Sequence, residues 1–178
     1  MKAFFLFVLL VYLTLQSCKS QEQQTPDYSK IVIVDSTVNS FDSLIVRFKG
    51  SPIYVDIWTT WCLPCRREFK HVSNITGLLD SVKAVKLYIS GDKLTAHDKW
   101  KQVVYDNNLT GYHIRMSDSL KKDITRLFSR PLKSSGELAL IYPTYLLINS
   151  DGVVINKNAP KPSEIIHLAN EFRNVSKK

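Results

Sequence analysis

Two cysteines three positions apart, Cys62 and Cys65, are the residues of this 178-residue chain best suited to chemistry. Thiols at that spacing can close a short loop as a disulfide and reopen it, so the pair can carry two electrons. They stand in Trp61-Cys62-Leu63-Pro64-Cys65. Upstream, Pro52-Ile53-Tyr54-Val55-Asp56-Ile57-Trp58 is an apolar, β-rich run, which reads as a strand buried on both faces. Downstream, Phe69, Val72, Ile75 and Leu79 recur at three- and four-residue spacing and predict a helix from about 62 to 80. The pair is therefore expected where a strand feeds a helix N-terminus. Unpaired amides and the macrodipole favour an anion there, lowering the pKa of a first-turn thiol and giving Cys62 thiolate character near neutral pH.

Thiol exchange also moves protons, which directs attention to two carboxyl groups. Asp56 precedes Cys62 by six residues on the expected strand, with Val55 and Ile57 pointing to the other face, and burial there would raise its pKa. Glu68 follows Cys65 by three residues on the same helix face, where it could act on the cysteines or simply stabilise the helix as a first-turn acid. Arg66 and Arg67 read as solvated. His71, His97, His113 and His167 are dispersed, so the cysteine pair lacks the two nearby ligands that zinc would need; no metal or other cofactor is expected.

Composition sets the frame for these residues. With 44% hydrophobic and 22% charged residues, 6 Gly and 7 Pro, the chain suits one globular domain and not a disordered, collagen-like or polytopic membrane protein. Its 3 Cys are too few for a disulfide scaffold or a four-thiolate zinc site. The net charge of +8 comes from scattered basic residues without an aromatic-basic stripe or zinc-finger spacing, so no nucleic-acid partner is expected. A basic surface near anionic lipid or acidic partners fits better. At the N-terminus, Met1-Lys2 precedes an apolar run over residues 3–15 that is too short to cross about 30 Å of hydrocarbon and reads as an export signal. Leu15-Gln16-Ser17-Cys18 resembles the lipobox of bacterial lipoproteins. That resemblance implies a signal peptide over 1–17, lipid attached to Cys18, a polar tether over 18–30 and a domain over 31–178.

Three features together resemble the thioredoxin superfamily, and within it the TlpA-like extracytoplasmic thiol-disulfide oxidoreductases. The first is Asp56-Ile57-Trp58-Thr59-Thr60-Trp61-Cys62-Leu63-Pro64-Cys65. The second is Tyr142-Pro143-Thr144, at the place of the family's cis-proline and just before an apolar strand over 145–148. The third is Asn149-Ser150-Asp151-Gly152 followed by Val153-Val154-Ile155, a turn between two strands. The resemblance spans residues 31–175. It implies a thioredoxin-like three-layer α/β/α sandwich with a central mixed sheet, extra N-terminal strands and a helical insertion. The leading strands are expected at 31–34 and 44–46, further strands at 84–89 and 112–116, and helices around Trp100, Val103 and Val104, over 120–128 and over 165–172.

The resemblance also implies roles. Cys62 would be the nucleophile, Cys65 the resolving thiol, Asp56 the relay for the Cys65 proton and Glu68 a modulator of the cysteines. Trp61, Leu63, Pro64, Tyr142 and Pro143 would contact the partner. Partners would be protein thiols or disulfides of the cell envelope, often those of apocytochrome c, with a membrane thiol donor restoring the dithiol. The Leu63-Pro64 pair contains no His of the kind that stabilises thiolate in strongly oxidising members, which favours a reductant. The protein would face the periplasm, and Lys19 after Cys18 is not the Asp of inner-membrane retention, so the outer membrane is favoured. Two other classes stay open: a non-enzymatic lipoprotein with a structural disulfide, and a thiol peroxidase. Thr59-X-X-Cys62 echoes the peroxidatic motif of peroxiredoxins, although Val55 stands where that family has Pro.

Overall fold

A computed structural model describes residues 28–34 and 37–175; the expected signal peptide, Cys18 and most of the tether lie outside the described residues. In chain order the elements are β1 (Ile31–Ile33), α1 (Phe41–Ile45), β2 (Ile53–Trp58), α2 (Leu63–Phe69), α3 (Val72–Ser81), β3 (Val85–Ser90), α4 (His97–Asp106), β4 (Gly111–Arg115), α5 (Asp118–Phe128), β5 (Arg130–Pro131), β6 (Leu138–Ala139), β7 (Thr144–Ile148), β8 (Val154–Asn156) and α6 (Ile165–Val175). Among the described residues, six strands form one sheet in the order β1-β4-β3-β2-β7-β8. The sheet is mixed: β1, β4, β3 and β2 run parallel, while β7 is antiparallel to β2 and β8 to β7. Helices cover both faces, which is the expected thioredoxin-like sandwich.

Strand β2 is central and buried at every position, as its uninterrupted apolar run requires. Its two faces differ in kind because alternate side chains point opposite ways. Ile53, Val55 and Ile57 join Leu87, Ile89, Ile114, Leu146 and Ile148 in an aliphatic layer packed against Leu44, Leu120 and Ile124 of α1 and α5. Tyr54, Asp56 and Trp58 face the other way. There Trp58 packs with Cys62, Cys65, Phe69 and Trp100, and Tyr54 with Ile75, Leu79, Tyr145 and Phe172.

Two expectations are corrected. The helix over 62–80 is two helices, because Lys70 and His71 donate to the carbonyls three residues back, Arg67 and Glu68, and so tighten the chain out of α-helical register. The strand expected at 44–46 is instead the end of α1 followed by a 3-10 turn, Val46–Phe48. Ser40 caps α1 by accepting the Ser43 N–H at 3.2 Å, Asp42 lies in the first turn, and Phe41, Leu44 and Ile45 bury a helical stripe. Only one leading strand, β1, is therefore found among the described residues, at the sheet edge beside β4. The short hairpin of β5 and β6 was not expected. Helix α4 and strand β4 follow β3 in the chain, and β4 extends the sheet beyond β3. At the end of the expected tether, Tyr28 in the turn Tyr28–Lys30 lies 5.1 Å from the Tyr105 ring of α4, centroid to centroid.

Candidate active site

At the C-terminal end of β2 the chain turns through Thr59, Thr60 and Trp61, and the Cys62 N–H donates to the Thr59 carbonyl at 3.2 Å. Cys62 is the N-cap of α2, with an extended backbone and its Sγ accepting the Cys65 N–H at 3.1 Å. Pro64 sits in the first turn, where its missing N–H leaves no helical bond unmade. Cys62 and Cys65 are joined as a disulfide. Cys65 is fully buried and Cys62 is 4% exposed, whereas Trp61 and Leu63 on either side of Cys62 are 65% and 66% exposed. Cys62 is thus the sulfur nearer solvent, though less open than a helix terminus alone suggests, and it is bordered by apolar side chains.

The Tyr142-Pro143 bond is cis. This loop enters β7, whose Thr144 pairs with Ile57 near the end of β2, and the Tyr142 ring meets the Trp61 ring edge-on at 5.6 Å. The sheet thereby brings together the two segments that lie some eighty residues apart in the sequence.

Asp56 is buried on the face of β2 that it shares with Trp58, and neither carboxyl oxygen has a hydrogen-bond partner. Burial first, and the charge of Glu68 second, push its pKa well above the ordinary carboxylate range. Across the sheet it pairs in register with Tyr145 on one side and Tyr88 on the other, and Tyr88 pairs in turn with His113. The phenols of Tyr88 and Tyr145 are raised above their ordinary pKa by burial and by Asp56. His113, stacked on Tyr88 at 4.6 Å, is pushed down to about 4 by burial and is neutral at physiological pH. The row Tyr145, Asp56, Tyr88, His113 is a band of proton-bearing groups within the core.

Glu68 lies in the last turn of α2, not the first, so it cannot serve the helix as a first-turn acid. Its carboxylate accepts the Ser163 N–H at 3.0 Å and the Ser163 hydroxyl at 3.1 Å and pairs with Lys161 at 3.6 Å. This ties α2 to the segment leading into α6. One group was not anticipated: Asp92, just after β3, whose carboxylate holds Thr60 of the cysteine-bearing turn. A rule of parallel sheets could have found it, since functional residues collect at the C-terminal ends of neighbouring strands, here β2 and β3. Among the described residues, no group of three or more His, Cys, Asp or Glu side chains is placed to hold a metal ion.

The Redoxin family matches residues 21–173, almost the whole chain. The chain belongs to the redoxin family. Among redoxin-like relatives, the thiol-disulfide oxidoreductase ResA of Bacillus subtilis is 26% identical over 109 residues, which are 60% of this chain and 52% of that protein, so the match spans about half the relative's length. Two solved structures share the fold. The crystal structure of the thioredoxin domain of a Bacteroides vulgatus thiol-disulfide oxidoreductase has a TM-score of 0.56 and 17% identity, covering 72% of this chain and 81% of that one. The solution structure of a thiol:disulfide interchange protein from a Bacteroides species has a TM-score of 0.56 and 17% identity, covering 74% and 77%.

Proposed function

We propose that this redoxin is a lipid-anchored thiol-disulfide oxidoreductase that reduces disulfides of cell-envelope proteins. The observation that carries the reading is the placement of the Cys62–Cys65 pair at the N-terminus of α2, bordered by exposed Trp61 and Leu63 and by the Tyr142-Pro143 loop. Thiolate at Cys62 attacks a partner disulfide; one partner sulfur leaves with the bonding electron pair and gains a proton. Cys65 then loses its proton and attacks the Cys62 sulfur, releasing the second partner thiol and closing the Cys62–Cys65 bond. Two electrons pass to the partner, and a membrane thiol donor restores the dithiol. Trp61, Leu63, Pro64, Tyr142 and Pro143 form the contact surface, where an extended partner segment lies along the loop backbone. Asp56 takes the Cys65 proton: its oxygens are free acceptors and its raised pKa suits a proton carrier. Glu68 acts through its charge on Asp56.

The absence of a His between the cysteines supports the reducing direction, and apocytochrome c thiols are one partner class that fits it. Equilibrating the protein with glutathione tests this: the expected potential lies nearer thioredoxin (about −270 mV) than DsbA (about −120 mV). A value like that of DsbA would reverse the direction, and a disulfide that glutathione cannot open would leave a structural bond.

Leu15-Gln16-Ser17-Cys18 supports lipid on Cys18 as the anchor, with the domain facing the periplasm and the outer membrane favoured by Lys19. No helix among the described residues is long and apolar enough to cross a membrane. Cys18→Ala should leave exchange with a model disulfide unchanged while the protein leaves the membrane fraction or stays unprocessed. A mass spectrum showing an unmodified mature N-terminus at another residue would overturn the anchor.

A further inference from the structure

The carboxylate of Asp92 is almost sealed from solvent, 6% exposed, and lies in the loop that follows β3. It accepts three hydrogen bonds: from the Thr60 N–H at 2.8 Å, the Thr60 hydroxyl at 2.8 Å and the Ser90 hydroxyl at 2.7 Å. The Asp92 N–H donates back to the Ser90 hydroxyl at 3.1 Å. Thr60 and Ser90 are themselves buried, and Thr60 is two residues before Cys62. Among the described residues, no Lys, Arg or His forms an ion pair with Asp92. The same loop holds the opposite wall of the site. The Gly91 N–H donates to the Trp58 carbonyl at 2.9 Å, and a Cβ at Gly91 would overlap the Tyr142 hydroxyl. A buried carboxylate held by neutral donors alone among the described residues remains costly, and this one stands against the turn that presents the nucleophile.

We propose that Asp92 is a positioning residue that pins the cysteine-bearing turn through Thr60 and, through its buried charge, makes the dithiol a stronger reductant. The inference rests on the exchange chemistry proposed above. Reduction of the Cys62–Cys65 disulfide takes two electrons and two protons to give two thiols, and Cys62 then releases its proton to become the attacking thiolate. A neighbouring carboxylate disfavours that second anion, so it destabilises the reduced form and leaves the neutral disulfide untouched. The other charges on the elements about Cys62 are Arg66, Arg67 and Glu68 on α2 and Asp56 on β2, with the Tyr142 phenol across the loop. Of these, the arginines act in the opposite sense to Asp92.

The test compares Asp92→Asn with Thr60→Val and Ser90→Ala in the full chain. Asp92→Asn keeps the shape and an acceptor for the Thr60 N–H while removing the charge; Thr60→Val and Ser90→Ala each remove one hydroxyl donor and leave the charge in place. Two readouts are taken: the equilibrium with glutathione, and the pH dependence of Cys62 alkylation in the reduced protein. Asp92→Asn is expected to move the equilibrium roughly tenfold toward the reduced protein, about 30 mV for two electrons, and to bring Cys62 alkylation to lower pH. Thr60→Val and Ser90→Ala should slow exchange without moving the equilibrium in that direction. An unchanged potential and alkylation profile in Asp92→Asn overturns the proposal. So does a shift toward the reduced form in Thr60→Val or Ser90→Ala, which would assign the effect to a loosened turn; those two variants decide the matter if Asp92→Asn fails to fold. Both readouts use small thiols, so they stand apart from failure of the envelope-partner reading, which would appear as a wild-type protein inert toward protein disulfides.

Discussion

With Cys65 replaced by Ser, the protein should accumulate a covalent complex with a partner protein, and with Cys62 replaced by Ser it should accumulate none. The asymmetry follows from the geometry. Cys62 caps α2 at its solvent end between Trp61 and Leu63, whereas Cys65 lies in the first turn with no exposed surface. A partner disulfide can therefore reach the first sulfur and not the second. Once Cys62 has attacked, only a thiol already beside it clears the mixed disulfide quickly, because an intramolecular thiol competes at an effective concentration no free thiol matches. Non-reducing electrophoresis of cell envelopes followed by mass spectrometry reads the outcome and names the partner. If the Cys65 variant traps nothing while the wild type reduces model disulfides, partner exchange by this route is wrong. Rapid consumption of Cys62 by peroxide would then favour the peroxidase class.

Asp56→Asn should separate two effects of one buried carboxyl group. First, resolution should slow by about 100-fold, the lower end of what a placed general base contributes, while the initial attack by Cys62 is nearly unchanged. Acid-quenched time courses would show the mixed disulfide building up and decaying slowly; decay at the wild-type rate would remove Asp56 from the mechanism. Second, the oxidised variant should be more stable than wild type at neutral pH. The folded-state pKa of Asp56 is raised, so its native stability is fully present below the unfolded value and is lost as pH rises through the folded one. Each pKa unit of separation corresponds to about 1.4 kcal/mol. Denaturant unfolding at neutral pH and near pH 3 checks this, with the advantage of Asn expected to vanish at the acidic end.

Much of this site was legible in the sequence because its parts are local. An apolar run ending at Trp58, a cysteine pair and a helical stripe beginning at Phe69 place the dithiol at a strand-to-helix junction, whereas the facing loop at Tyr142-Pro143 is reached only through its resemblance to the family's cis-proline. The misreadings have local causes too. Leu44-Ile45-Val46 has strand-like residues, yet the Ser40 cap and the burial of Phe41, Leu44 and Ile45 together win the segment for a helix. Longer-range pairings were out of reach. The rule for parallel sheets points to the chain just after β3, but the pairing of Asp92 with Thr60 across 32 residues has no local signal at either position. The row from Tyr145 to His113 exists only because four strands align in one register, which pattern alone does not reveal.

The unlike faces of β2 also act as a check on assembly. Side chains alternate with a period of two, so a slip of one residue against β3 or β7 would turn Asp56 into the aliphatic layer and swing Val55 and Ile57 beneath α2. An alternation of similar apolar residues would tolerate that error; this one penalises it on both sides at once, with a carboxyl group thrust among isoleucines and leucines. The same slip would move the attached Cys62 turn by about 3.3 Å relative to the loop at Tyr142. A misaligned sheet would therefore be unstable and would displace the dithiol from the loop it faces, so the buried carboxyl group of Asp56 also proofreads the alignment that places the cysteines.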